Sequence, residues 1–259
     1  MAVLETVPTF DARKRPQSPF ERVRAAEYDY ARRLRQVARA IDMIVKGYDH
    51  PLNDDQEADL QEALRRYASM LQPWAKAVSS RMIAEVSRRD ETAWLRYTRG
   101  FSYELQRELR AAPVGMEVQR LLSEQVNLIT SLPLQAAERV HKLTIRARGA
   151  GDTRAEGIAK EIMRTGYVTR SRAMLIARTE TARTASSLTL VRAKSVGSES
   201  YIWRTVRDSD VRPLHRKLEG KVFRYDDPPV AGERGERAHP GMIYNCRCVM
   251  EPIIPDLKY

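Results

Sequence analysis

Nowhere in this sequence do apolar residues follow one another for the roughly eighteen positions that a bilayer-spanning helix needs, so no membrane passage is expected. The first twenty residues also lack the uninterrupted apolar core of a secretory leader, because Glu5, Asp11, Arg13 and Lys14 are mixed with Pro8, Pro16 and Pro19. A soluble protein made in a cytoplasm is the expectation. Cysteine is scarce. Cys246 and Cys248, the two in the chain, stand one residue apart, and on an extended strand their Cα atoms would approach the upper limit for a disulfide. Free thiols or metal ligation follow from that spacing. There is no repeat of fixed period, no low-complexity tract and no helix-turn-helix or other base-reading motif. Aromatic residues are not spaced as a stacking platform for bases, so any nucleic-acid contact is expected to be nonspecific.

What the chain has in excess is positive charge: 45 Lys and Arg stand against 34 Asp and Glu, a net of +11. A polyanion is the natural partner of such a surface. Arg32, Arg33, Arg35 and Arg39, with Arg13 and Lys14 ahead of them, are the candidate phosphate contacts, and such contacts weaken steeply with salt. The same arginines also suit a solvated helix face balanced by acids at helical spacing.

The periodicity predicts a mainly α protein with a small β-rich C-terminal module attached to an elongated helical body. Residues 1–19 are read as a flexible arm, 20–150 as the helical body, 151–197 as two further helices and 198–259 as the module. Val23, Ala26, Tyr30, Leu34, Val37, Ala38, Ile41 and Val45 recur every three or four residues and mark a first helix ending near Gly47. Asn53 or Asp54, with Gln56 and Glu57, offers a capping box for a second helix that Pro73 interrupts. Further helices are expected over Trp74–Arg89, Glu91–Arg110, Met116–Thr130 and Leu134–Arg148, the last two parted at Ser131–Pro133. A turn at Gly149–Gly151 and a cap at Thr153 and Glu156 precede a short helix closed by Gly166. Thr169 or Ser171 then starts a long helix to Gly197. Beyond it the period changes to two around Tyr201, Trp203 and Thr205, and Lys221–Arg224 and Met242–Pro252 also suit strands, with a short tail over Pro255–Tyr259.

Both cysteines, two of the four histidines and the aspartates Asp208 and Asp210 fall in this module. His215, His239, Cys246 and Cys248 are a candidate closed zinc site, and a module with so small a core would draw folding energy from the metal. Strand geometry opposes this, since side chains at i and i+2 are too far apart to share one ion unless the chain kinks at Arg247. Without the kink one cysteine is a small buried hydrophobe and Asp208 or Asp210 takes its place as a ligand. A nuclease would use Asp208, Asp210, His215 and His239 around magnesium or zinc with open positions. A zinc deaminase needs H-x-E with P-C-x-x-C, and here His215 precedes Arg216 and Lys217, His239 precedes Pro240 and Gly241, and the thiols read C-x-C. No enzymatic turnover is expected.

Four segments in order, L-I-T-S-L-P-L-Q-A-A-E-R-V, S-R-A-M-L-I-A-R-T-E-T, W-R-T-V-R-D-S-D-V-R-P-L-H-R-K-L-E-G-K-V-F and H-P-G ahead of C-R-C-V-M-E-P, make Asn127–Asp256 resemble the phage Mu F-like (MuF) family of head morphogenesis proteins. The resemblance implies a minor head protein, made in the host cytoplasm and carried in several copies inside the capsid near the portal. Implied partners are the portal, the major capsid or other head proteins and packaged DNA; implied roles are head assembly and DNA packaging or ejection. A nonspecific DNA-binding regulator is the alternative to both virion protein and nuclease. Many relatives carry a cysteine pair where this chain has Arg212 and His215, of which only His215 can bind metal. Arg178, Thr179 and Glu180 form the family's R-T-E signature. One of Arg178 and Glu180 is expected to anchor the module by a charge-assisted hydrogen bond, the alternative being a solvated pairing with Arg183 or Thr184, and Trp203 is expected to pack the module on the long helix.

Overall fold

The structure, a computed structural model, describes residues 19–21, 23–50, 52–148 and 152–254. Arg13 and Lys14 with the arm before residue 19, the turn at Gly149–Gly151, the Thr153 side chain and the tail Pro255–Tyr259 lie outside the described residues. Eight helices and three strands follow in chain order among the described residues: α1 Arg24–Lys46, α2 Asp54–Met70, α3 Gln72–Tyr97, α4 Tyr103–Ala111, α5 Val114–Arg148, α6 Asp152–Met163, α7 Thr165–Ser195, β1 Ser200–Arg204, α8 Pro213–Arg216, β2 Val222–Arg224 and β3 Val249–Ile253. The fold is thus mainly α with a small antiparallel sheet near the C-terminus.

Every apolar position read from the first periodic stretch is buried, from Val23 through Leu34 and Ile41 to Val45. α2 opens on a complete capping box, in which Asn53 accepts from the Gln56 amide and the Gln56 side chain accepts from the Asn53 amide. Several boundaries differ from the sequence reading, among them the helix expected over Glu91–Arg110, which is split between the end of α3 at Tyr97 and α4 from Tyr103. α3 runs unbroken past Arg89, because the charged R-R-D-E stretch holds no helix breaker and Asp90 has buried partners. α5 is a single helix with Pro133 inside it. Proline removes one backbone donor there, and neighbouring hydroxyls serve adjacent carbonyls: Ser131 Oγ donates to Leu128 O at 2.8 Å and Thr130 Oγ1 to Val126 O at 3.0 Å. α7 begins at Thr165, so Gly166 lies in its first turn instead of closing the previous helix. Glycine is required there by packing, since a Cβ would collide with the Asp42 side chain of α1.

By internal contacts the described chain divides into two compact units, residues 19–26, 83–121 and 179–254 in the first and 27–82 with 122–178 in the second. The first unit contains the sheet, in the order β2-β1-β3 with both pairings antiparallel. Tyr201 stands opposite Phe223, and Trp203 opposite Met250. The predicted alternation fails on β1, where Tyr201, Ile202 and Trp203 are all buried, because this central strand is covered on both faces. Trp94 and Leu109 share one apolar core with Tyr201, Trp203, Cys246 and Cys248. Phe20 meets Trp94 edge-on at 5.2 Å, and the Tyr97 hydroxyl donates to Pro252 O at 2.7 Å, tying α3 to β3.

Candidate metal centre

α8 is a single turn that Pro213 starts, its fixed φ suiting the first helical position. That turn carries His215 inward, 2% exposed and edge-on to the Trp203 ring at 5.4 Å. The segment before β3 is not strand. Cys246 N bonds Ile243 O at 3.0 Å, Asn245 adopts φ 58° and Gly241 φ 79°, so the chain turns ahead of the C-R-C triplet. The turn at Asn245 leads directly into the C-R-C triplet, and both sulfurs face His215.

His215 Nδ1 lies 3.7 Å from Cys246 Sγ and 3.5 Å from Cys248 Sγ, and the three ligand atoms all fall within 4.8 Å of one another. Zinc bonds of about 2.3 Å to sulfur and about 2.0 Å to nitrogen, set at the tetrahedral angle, give N···S edges of about 3.6 Å. The observed separations are those of such a site. His215 Nε2 donates to Ala231 O at 2.9 Å, which in the neutral ring leaves Nδ1 as the lone-pair nitrogen facing the thiols. The Gly241 amide donates to Cys246 Sγ at 3.3 Å, a bond suited to a thiolate. These residues could hold a metal ion, and the donor set fits one.

The thiols are unequal. Cys246 is pushed well down, chiefly by the hydrogen bond from Cys248; burial opposes the shift, and His215 and the Gly241 amide add to it. Cys248, which gives that bond and is buried beside the Cys246 charge, moves up, while the Trp203 side chain favours its ionised form. Burial disfavours the His215 imidazolium, but the hydrogen bond and charge of Cys246 outweigh it and raise the pKa. A divalent cation bound between them would remove the competition and leave both thiols ionised.

The structure brings together three of the four candidate ligands, and holds His239 and the alternative ligands Asp208 and Asp210 elsewhere. His239 Nδ1 lies 3.1 Å from the Tyr201 hydroxyl and is outside the cluster, its pKa lowered by burial. Asp208 and Asp210 are exposed, and Arg247 claims both: its guanidinium bonds the two Asp208 oxygens at 2.6 and 2.7 Å and lies 3.5 Å from Asp210. Arg247 thus pins the loop that leads into α8. Glu219 closes the same loop by accepting from the Thr205 amide at 2.6 Å and pairing with Arg207.

One face of α7 positions the cysteine segment. Thr179 Oγ1 accepts from the Asn245 amide at 3.2 Å, Arg183 donates to Met242 O at 3.4 Å, and Ser186 Oγ donates to Pro240 O at 2.5 Å. Glu180, buried, pairs with Arg183 at 3.1 Å and so reaches the segment through it, whereas Arg178 lies in the second unit 3.5 Å from Glu27. Trp203 is fully buried in the core that also holds Ala193 of α7. The second unit holds Arg32 and Arg33, both paired with Asp29.

Two buried polar clusters escaped the sequence reading. In the first unit Asp90 bonds Thr189 and Arg192, and burial raises its pKa to about 6 against the pull of Arg192. In the second, His141 Nδ1 stands 2.6 Å from the buried Glu57 carboxylate. Neither pair has a local spacing signal, since the partners are brought together by helix packing alone.

Residues 138–251 match the family described as Phage Mu protein F like protein. An uncharacterized protein of Haemophilus influenzae is 32% identical over 147 residues, 56% of this chain and 32% of its own length. An uncharacterized protein of Methanocaldococcus jannaschii is 36% identical over 107 residues, 41% of this chain and 15% of its own. The chain therefore spans a third or less of these relatives. No solved structure matches.

Proposed function

Residues 138–251 belong to the phage Mu protein F-like family, and from that premise we propose that the chain is a minor head protein of a phage particle, positioned near the portal inside the capsid. It would act in head assembly and in DNA packaging or ejection, with the portal and other head proteins as partners and packaged DNA as a nonspecific one. The observation that carries this reading is the family match, which covers α7, β1, β2, the cysteine segment and the start of β3 together. We further assign zinc to His215, Cys246 and Cys248. Zinc bound there supplies a cross-link between α8 and the chain entering β3, and the three side chains are 2–4% exposed, as suits a structural site.

Absence of turnover is part of the proposal. A nuclease centre would need Asp208, Asp210 and His239 beside His215, and these are engaged by Arg247 and Tyr201. Quantitative mass spectrometry of purified particles, referenced to the portal protein before and after triggered DNA release, tests the virion role. A few copies per portal are expected in full particles. Absence from full particles would contradict the proposal.

A further inference from the structure

We propose that the face shared by α1 and α7, within the second unit, binds the phosphate backbone of duplex DNA. This deepens the DNA-contact part of the function proposed above, and α1 itself lies outside the matched residues. The two helices are antiparallel neighbours, because Asp42 abuts Gly166 near one end and Glu27 meets Arg178 near the other. In an antiparallel pair, residues about 100° past the contact line on each helix emerge on the same side of the pair. On α1 those positions are Tyr28, Arg32, Arg35 and Arg39; on α7, counted from Gly166, they centre on Tyr167, with Arg170 nearer the seam and Arg178 reaching back across it to Glu27.

This side is open: Tyr28 is 68% exposed and Tyr167 65%, and Arg32, Arg39 and Arg170 are exposed as well. Its charge is positive and only partly balanced. Asp29 pairs with Arg32 and Glu27 with Arg178, while Arg35, Arg39 and Arg170 pair with no carboxylate among the described residues. Arg35 lies over the Tyr28 ring at 6.0 Å, which holds its guanidinium on this side. From Tyr28 to Arg39 the row is about 17 Å long at 1.5 Å per residue, and a duplex presents one negative charge per about 1.7 Å. A strip of cations with so few counter-charges presents net positive charge to that phosphate row, and a second copy of this chain, carrying the same cations, would be repelled.

The test is fluorescence anisotropy of the full chain with a labelled random-sequence duplex of about 30 base pairs, titrated from about 50 to 200 mM salt. Binding is expected, with a linear fall of log affinity against log salt. The variant Arg35→Gln/Arg39→Gln/Arg170→Gln should flatten that slope by about 0.9 for each lost phosphate contact. The variant Arg99→Gln/Arg107→Gln/Arg110→Gln, which removes equal charge from exposed positions of the first unit, should leave the slope nearly unchanged. No duplex binding at low salt, or equal flattening by both variants, would overturn the proposal. Either result would leave the particle census untouched, so this inference and the virion role fail separately.

Discussion

His215 divides its two nitrogens between a backbone carbonyl and the thiol pair, and this division makes the centre specific to one ring orientation. Replacing Cys246 or Cys248 with Ser should abolish stoichiometric zinc in the purified protein, read by elemental mass spectrometry, whereas His239→Gln should leave the zinc content unchanged. The clustering of these residue types was legible in the sequence; the choice among them was not. His239, Asp208 and Asp210 have metal-ligand chemistry, but which partner each takes is decided by Tyr201 and Arg247, neither of which follows a spacing rule. Asp90 was invisible for a related reason. Its raised pKa sets the sign of a pH effect: an acid whose folded pKa of about 6 exceeds the unfolded value binds more protons when folded, so its contribution to stability is fullest below about pH 4 and is lost as pH rises through about 6. Asp90→Asn should remove that fall. In thermal melts the wild type should lose stability relative to the variant between about pH 4 and 6, and a gap that instead widened in favour of the wild type would contradict this assignment.

At the scale of elements, α7 acts as a template on which the cysteine segment is laid. Gly241 shows how tight the fit is, for it holds φ 79° and a Cβ there would stand 2.5 Å from Ser186 Oγ and 3.1 Å from Ala182 O. Gly241→Ala should cost at least about 2 kcal/mol in urea unfolding, combining backbone strain with a clash. Gly197→Ala, with φ 74° and nothing within 4 Å, should cost only the strain, about 1 kcal/mol. Equal losses would deny α7 its positioning role. Helices with one apolar stripe, such as α1, and helices with a cap, such as α2, could be read directly because local rules suffice for them. Pro133 misled because α5 continues through it at the loss of one backbone bond, which no local rule announces, and β3 came out shorter than its apolar run because Gly241 and Asn245 turn the chain before it can pair.

For the whole molecule, the sequence disclosed the class, mainly α with a small sheet, and the excess of positive charge. It did not disclose the two units, since α1, α3, α5 and α7 each contribute residues to both and no composition shift marks a boundary inside a helix. The three-stranded sheet is short and depends on a core that includes Cys246 and Cys248 themselves. A metal at their centre would then stabilise the first unit selectively. Hydrogen–deuterium exchange of the zinc-loaded chain, with and without a chelator, tests this most directly. Chelation is predicted to release one zinc per chain and to speed exchange across β1, β2, β3 and residues 239–248, leaving the part of α1 and α2 in the second unit as protected as before. Zinc absent from the purified chain, or exchange in the sheet unchanged by the chelator, would contradict the metal centre.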